Sequence, residues 1–221
     1  MLNIDELSIN ICILIVLYQL VCHFPALDKY NSDIKFNVYR SLMCITFGSM
    51  GINILINHFS HGIQHPFSFK HENMNELYHL FTAYIIVDLL GMVILKSKRI
   101  DLYIHHIICI GGLLVSHFTN KFGYLHSVLL IGELLSVVSG IDSIALADNN
   151  MKLSVYCKKI RINIIKNIRY PIWIILFLFI VRYTEKVPNA IWYYCFASSI
   201  GMMYMDNYWE KKCNNIIDKY E

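Results

Sequence analysis

Residues 101–112 read DLYIHHIICIGG, with His105 and His106 at the head of an apolar run and Asp101 four positions before the first of them. A histidine near a carboxylate can act as general base toward an amine or hydroxyl, or accept an acyl group itself. Ionisable groups inside apolar segments are costly, and that cost makes them candidates for function. Neighbouring apolar runs supply the carboxylates. In AYIIVDLLG, Tyr84, Asp88 and Gly91 recur at helical spacing, and in HSVLLIGELLSVVSG, His126, Glu133, Ser136 and Gly140 do the same. Asp88 and Glu133 each need a partner, water or a proton, and His105 or His106 is the obvious partner. The catalytic candidates are therefore His105, His106, Asp88 and Glu133. Tyr84, Cys109, His126 and Ser136 are the candidates for substrate binding. A bland alternative stays open, in which these groups only fasten helices together.

Read as a helix, residues 102–118 put Asp101, His105, Cys109, Gly112 and Ser116 on one polar or small-residue stripe. His106 looks about 100° away, along Leu102, Ile110 and Leu113. The small stripe is the expected packing face, which points His105 into the bundle. Asp88→Asn is then expected to impair function while sparing the fold. A metal site built from His105, Glu133 and Asp88 has no spacing signature behind it, so no metal is expected.

The elements that must position these groups are membrane spans. The chain has 221 residues, 56% hydrophobic and only 16% charged, against roughly 25% charged for a soluble domain. Apolar runs near 8–25, 38–58, 77–95, 102–118, 123–146, 169–183 and 189–208 approach the ~20 residues that cross a bilayer. The count is seven, with six as the alternative. Segments 26–40, 96–99, 148–169 and 209–221 hold 3, 3, 6 and 3 of the 19 Lys and Arg residues; elsewhere stand only Lys70, Lys121, Arg182 and Lys186. By the positive-inside bias the N-terminus is lumenal and the C-terminus cytosolic. The net charge of +3 is thus a topology signal and gives no reason to expect nucleic acid. Seven scattered cysteines show no metal-ligand spacing and behave as small hydrophobes. Over 152–168, Leu153, Cys157, Ile160, Ile164 and Ile168 form an apolar stripe with five cations largely off it. Such a helix suits an anionic lipid surface.

Taken in order, Tyr84-x-x-x-Asp88, a short basic turn, His105–His106, Gly123, Gly132–Glu133–Leu134–Leu135–Ser136 and a terminal DNYWEKK with Asn207 and Trp209 resemble the TLC family of membrane proteins. The resemblance covers roughly residues 38–210, with an N-terminal helix and connector over 1–37 and a cytosolic tail over 211–221. It implies an all-α polytopic bundle with a polar-lined lipid cavity, in the endoplasmic reticulum or another endomembrane. Ceramide synthases of that family transfer an acyl chain from acyl-CoA to a sphingoid amine, with paired histidines at the site. Here Cys109 stands where those enzymes usually carry Thr, and Gly132, Glu133 and Ser136 stand where they carry a His–Asp pair and a further Asp. Glu133 is closer to the TLCD-like branch, linked to membrane lipid composition. The implied function is lipid handling without a resident cofactor, acyl-CoA being co-substrate if the chain is an enzyme. A ceramide-synthase-like N-acyltransferase and a cargo receptor or translocation helper are the alternatives. Lipid identity and oligomeric state are not legible.

The charge partition makes a direct prediction. Epitope tags at the two termini should be accessible from opposite sides of the membrane in selectively permeabilised cells, the C-terminal tag from the cytosol. Two tags on the same side would favour six spans.

Overall fold

In a computed structural model the described residues, 3–60, 74–119, 123–182 and 188–220, form helices joined by short connectors and contain no strand. The helices are α1 (Ile4–Cys22), α2 (Ser32–Ser60), α3 (Met74–Ile94), α4 (Ile100–Thr119), α5 (Gly123–Gly132), α6 (Ser139–Ala147), α7 (Met151–Ile164), α8 (Tyr170–Arg182) and α9 (Asn189–Tyr220). A 3-10 turn over Glu133–Ser136 joins α5 to α6, and a π turn over Ile165–Arg169 joins α7 to α8. Five helical stretches are long and apolar enough to cross a membrane: Ile4–Cys22, Ser32–Asn57, Asn75–Ile94, Ser127–Ala147 and Met151–Arg182. Ile100–Val115 is apolar but shorter, and the 32-residue α9 is not among the five.

Local chemistry sets the helix ends. Asn3 caps α1 by accepting from the backbone N–H groups of Asp5 and Glu6, both acidic first-turn residues that suit the positive end of the helix dipole. The first span is expected to reach residue 25, but α1 stops at Cys22, and Pro25 opens a 3-10 turn instead. Proline has no N–H to continue a ladder and restricts the residue before it. A second difference lies at 152–183, where the expected surface helix and the following span form one rod. The π turn falls just before Pro171, whose missing N–H interrupts the regular ladder.

That rod also uses its cations differently from the expectation. Lys158 is buried and pairs with Asp142 of α6, which also accepts a 2.7 Å hydrogen bond from Ser154. Arg169 is buried and pairs with Asp206 of α9 through Nε at 2.8 Å. Neither cation is on a solvated or lipid-facing surface. Contacts join the basic connectors in pairs. Lys29 and Tyr30 bond the exposed Asp148, and Trp209 bonds Asp101 beside Arg99. The Tyr30 hydroxyl, with Lys29, holds the Asp148 carboxyl below its ordinary range.

Helix α2 is the hub, lying against α5, the 3-10 turn and α6. Glycine makes that approach possible. A Cβ on Gly51 would stand 2.8 Å from the Ser127 carbonyl oxygen, and one on Gly140 would stand 2.8 Å from the Val38 Cα. Both contacts are with backbone, which cannot rotate away. Small residues at such crossings are what membrane helices need when lipid offers no hydrophobic drive to associate.

The α6–α7 ion pair gives the stability prediction of this fold. Lys158→Ala strands Asp142 and should cost about 3–5 kcal/mol, whereas replacing both partners by apolar residues of similar volume should recover most of it. Melting of the detergent-purified variants measures both. A single variant that melts like wild type would show that the pair contributes nothing.

Candidate functional site

The site lies where α2, α3, α4, the 3-10 turn and α9 meet. Because His105 and His106 are consecutive on α4, they face different neighbours, their rings 5.4 Å apart and nearly perpendicular. Each histidine faces its own carboxylate.

His106 faces Asp88. Its Nε2 lies 2.6 Å from Asp88 Oδ2, and its Nδ1 lies 2.7 Å from the Leu102 carbonyl oxygen, so both ring nitrogens meet acceptors and both must donate. Asp88 is fully buried and is also held by Arg40, whose Nε reaches Oδ1 at 2.8 Å and whose Nη2 reaches Oδ2 at 2.9 Å. This is the bidentate fork that suits guanidinium to carboxylate. Asp88 thus takes three donors, one on Oδ1 and two on Oδ2. His106, with neither nitrogen free, is a positioning residue.

His105 faces Glu133. Its Nε2 donates to Glu133 Oε1 at 3.2 Å, and the Cys109 Sγ one turn along α4 lies 3.7 Å from Nε2 and 3.9 Å from Nδ1. The other carboxylate oxygen, Oε2, accepts from Cys44 Sγ at 3.4 Å, and the Tyr84 hydroxyl lies 3.4 Å beyond that sulfur. All five side chains are buried. Trp209 closes the other side of the His105 ring at 5.9 Å, its own Nε1 donating to Asp101 at 2.7 Å. A base, a carboxylate that orients it, a thiol and a phenol thus converge in an apolar bundle. That is the composition of an acid–base or nucleophilic site.

Six of the eight residues expected from sequence meet here: His105, His106, Asp88, Glu133, Tyr84 and Cys109. Ser136 does not; its backbone carbonyl, not its hydroxyl, is used, accepting from Ser41 and Ser139. His126 falls in α5, but its side chain lies outside the described residues.

Four participants escape a reading by rarity of charge in apolar spans. Arg40 and Arg169 sit near span ends and read there as topology charges, while Cys44 reads as a small hydrophobe. Spacing could have found two of them, since Arg40, Cys44 and Phe47 fall on one face of α2 at i, i+4 and i+7. Asp206 is the fourth: it accepts from Arg169 Nε at 2.8 Å and from Trp173 Nε1 at 2.8 Å. No protein-family model, curated protein or solved structure matches the chain.

Arg40 argues against the expectation that Asp88→Asn spares the fold. Neutralising Asp88 leaves two buried donors, one of them permanently charged, without a counter-charge. Asp88→Asn should lower stability by about 3–5 kcal/mol, a broken buried pair, while Glu133→Gln, whose partners are one histidine and one thiol, should lower it by about 1–3 kcal/mol. Thermal melts of the two variants side by side test the ranking. Equal losses would remove the distinction between the two ion pairs.

Proposed function

We propose that the chain is a multi-pass membrane protein of TLC type, closer to the TLCD-like branch, that handles lipid and alters membrane lipid composition. The N-terminus is lumenal and the C-terminus cytosolic, with about seven spans in the endoplasmic reticulum or another endomembrane. Membrane lipids are the ligands, and the exposed cations of 152–168, such as Lys152, Lys159 and Lys166, face an anionic leaflet. The observation that carries this reading is the His105–Glu133 pair, 3.2 Å apart and beside Cys109, buried between the shorter apolar α4 and the Ser127–Ala147 stretch, which is long and apolar enough to cross a bilayer. A soluble metabolite would have to cross that apolar shell. A lipid already lies in it and needs only to bring its head group to the polar cluster.

The same pair favours a second reading, acyl transfer from acyl-CoA to a lipid amine or hydroxyl. His105 would take the proton of the attacking amine or hydroxyl, Glu133 would orient the ring, and the acyl carbon–sulfur bond would break to release coenzyme A. His106 holds no free nitrogen for that task. The two histidines therefore have unequal roles.

Mass spectrometry of lipids retained by the detergent-purified chain, with lipid profiling of membranes that express it, tests both readings. Wild type should retain a defined lipid class and shift membrane composition. His105→Ala should abolish the shift while melting within about 1–3 kcal/mol of wild type, the cost of one lost buried partner. His106→Ala should lose stability and the shift together. Wild-type lipid effects in the His105 variant would sink the site assignment.

A further inference from the structure

We propose that His105, Cys109 and Glu133 form a three-ligand site for a zinc ion, with a fourth position open. One donor atom from each residue, the imidazole nitrogen, the thiol sulfur and a carboxylate oxygen, can be chosen so that all lie within 4.8 Å of one another. Zinc takes these donors at about 2.0–2.3 Å in a tetrahedron, so its ligand atoms stand about 3.3–3.7 Å apart. The His105 Nε2 to Glu133 Oε1 separation is 3.2 Å and the His105 Nε2 to Cys109 Sγ separation is 3.7 Å. Two edges of the tetrahedron are already at length. The third edge, from Cys109 to Glu133, is within 4.8 Å, so closing it needs at most a contraction of about 1.3 Å, within the reach of one side-chain rotation.

The donor set also selects the ion. Imidazole with thiolate favours zinc or a later transition metal, while magnesium and calcium take oxygen. Charge agrees, because one thiolate and one carboxylate neutralise a divalent ion, and a neutral assembly is the kind an apolar bundle can bury. Binding releases the Cys109 proton, and His105 carries its hydrogen on Nδ1. The support around the ligands is in place: Cys44 Sγ donates to Glu133 Oε2, the oxygen left over when Oε1 binds metal, and Tyr84 lies behind Cys44. Asp88 is not part of the set, since Arg40 and His106 occupy both its oxygens. Sequence spacing could not show the site, because only His105 and Cys109 share a helix and Glu133 arrives from a turn 24 residues beyond Cys109 in the sequence. Three protein ligands with an open position is the arrangement of catalytic rather than structural zinc. The proposal stands independently of the lipid reading. With the ion bound, His105 is a ligand instead of a base.

The test uses the full chain in detergent, with cobalt(II) as the probe. Zinc is first counted on protein purified without chelator, then removed and replaced by cobalt. Wild type should carry about one zinc per chain, and the cobalt form should show the strong visible bands of a four-coordinate site together with a thiolate-to-cobalt charge-transfer band. Cys109→Ser should lose the charge-transfer band, whereas Cys195→Ser, a buried cysteine outside the cluster, should keep it. Cys44→Ala should keep the band and weaken binding about 10- to 100-fold, as loss of an outer-shell partner does. Melting of each apo variant near the wild-type apo value shows that the fold survives. A cobalt spectrum without the charge-transfer band, or one abolished by Cys44→Ala and untouched by Cys109→Ser, overturns the assignment. Lipid retention is read separately by mass spectrometry, so the two readings fail independently.

Discussion

Asp88 is the point on which this bundle turns. A carboxylate fully buried among apolar helices is tolerable only if it is compensated on all sides, and Asp88 takes its compensation from two other helices, Arg40 of α2 and His106 of α4. Three helices are thereby fixed in both rotation and height, since a slip of one turn, about 5.4 Å, would separate every donor from its acceptor. Lys158–Asp142 and Arg169–Asp206 apply the same constraint to α6 with α7 and to the α7–α8 rod with α9. Apolar packing would hold such helices together in many registers, because lipid chains are as apolar as their side chains. The ion pairs select one.

That selection is what gives adjacent histidines different work. His106 completes the Asp88 node and has no nitrogen left over. Its neighbour, turned about 100° around the helix, is carried to Glu133, Cys109 and Trp209. The His105 cluster contains softer and weaker hydrogen bonds, at 3.2–3.9 Å, than the 2.6–2.9 Å contacts of the Asp88 node. A rigid node beside a looser cluster is the division expected when one part positions and the other reacts or binds.

The sequence made the helical class legible, because long apolar runs with few charges admit little else in a bilayer. It also exposed Asp88, His105, His106 and Glu133, since charge inside such runs is rare. It concealed what rarity cannot flag. Arg40 and Arg169 are near span ends, where positive charge is common, and only the tertiary fold shows them turned inward. Cys44 is chemically ambiguous until a carboxylate appears 3.4 Å away. Ser136 shows another limit of spacing, which says which residues share a face and not which atom is engaged: its carbonyl accepts from Ser41 and Ser139. The end of α1 moved for a separate reason, a proline three residues past the last helical turn.

Both irregular turns lie on one line of contacts leading to His105. Arg169, the last residue of the π turn, is anchored by Asp206 and donates through Nη1 to the carbonyl of Gly132, the residue that opens the 3-10 turn. Glu133 follows directly and reaches His105. The Gly132 carbonyl thus carries a side-chain donor at the point where the helix tightens. Neither turn is a favourable way to build a transmembrane helix in isolation, yet each places a buried polar group that an unbroken helix would point elsewhere. Asp206 and Trp209 are one turn apart on α9, the first holding Arg169 and the second covering the His105 ring. The final helix thus fixes the carboxylate from behind through Arg169 and the imidazole from the side through Trp209, and residues within the chain's last long helix hold the His105–Glu133 pair in place without being part of it.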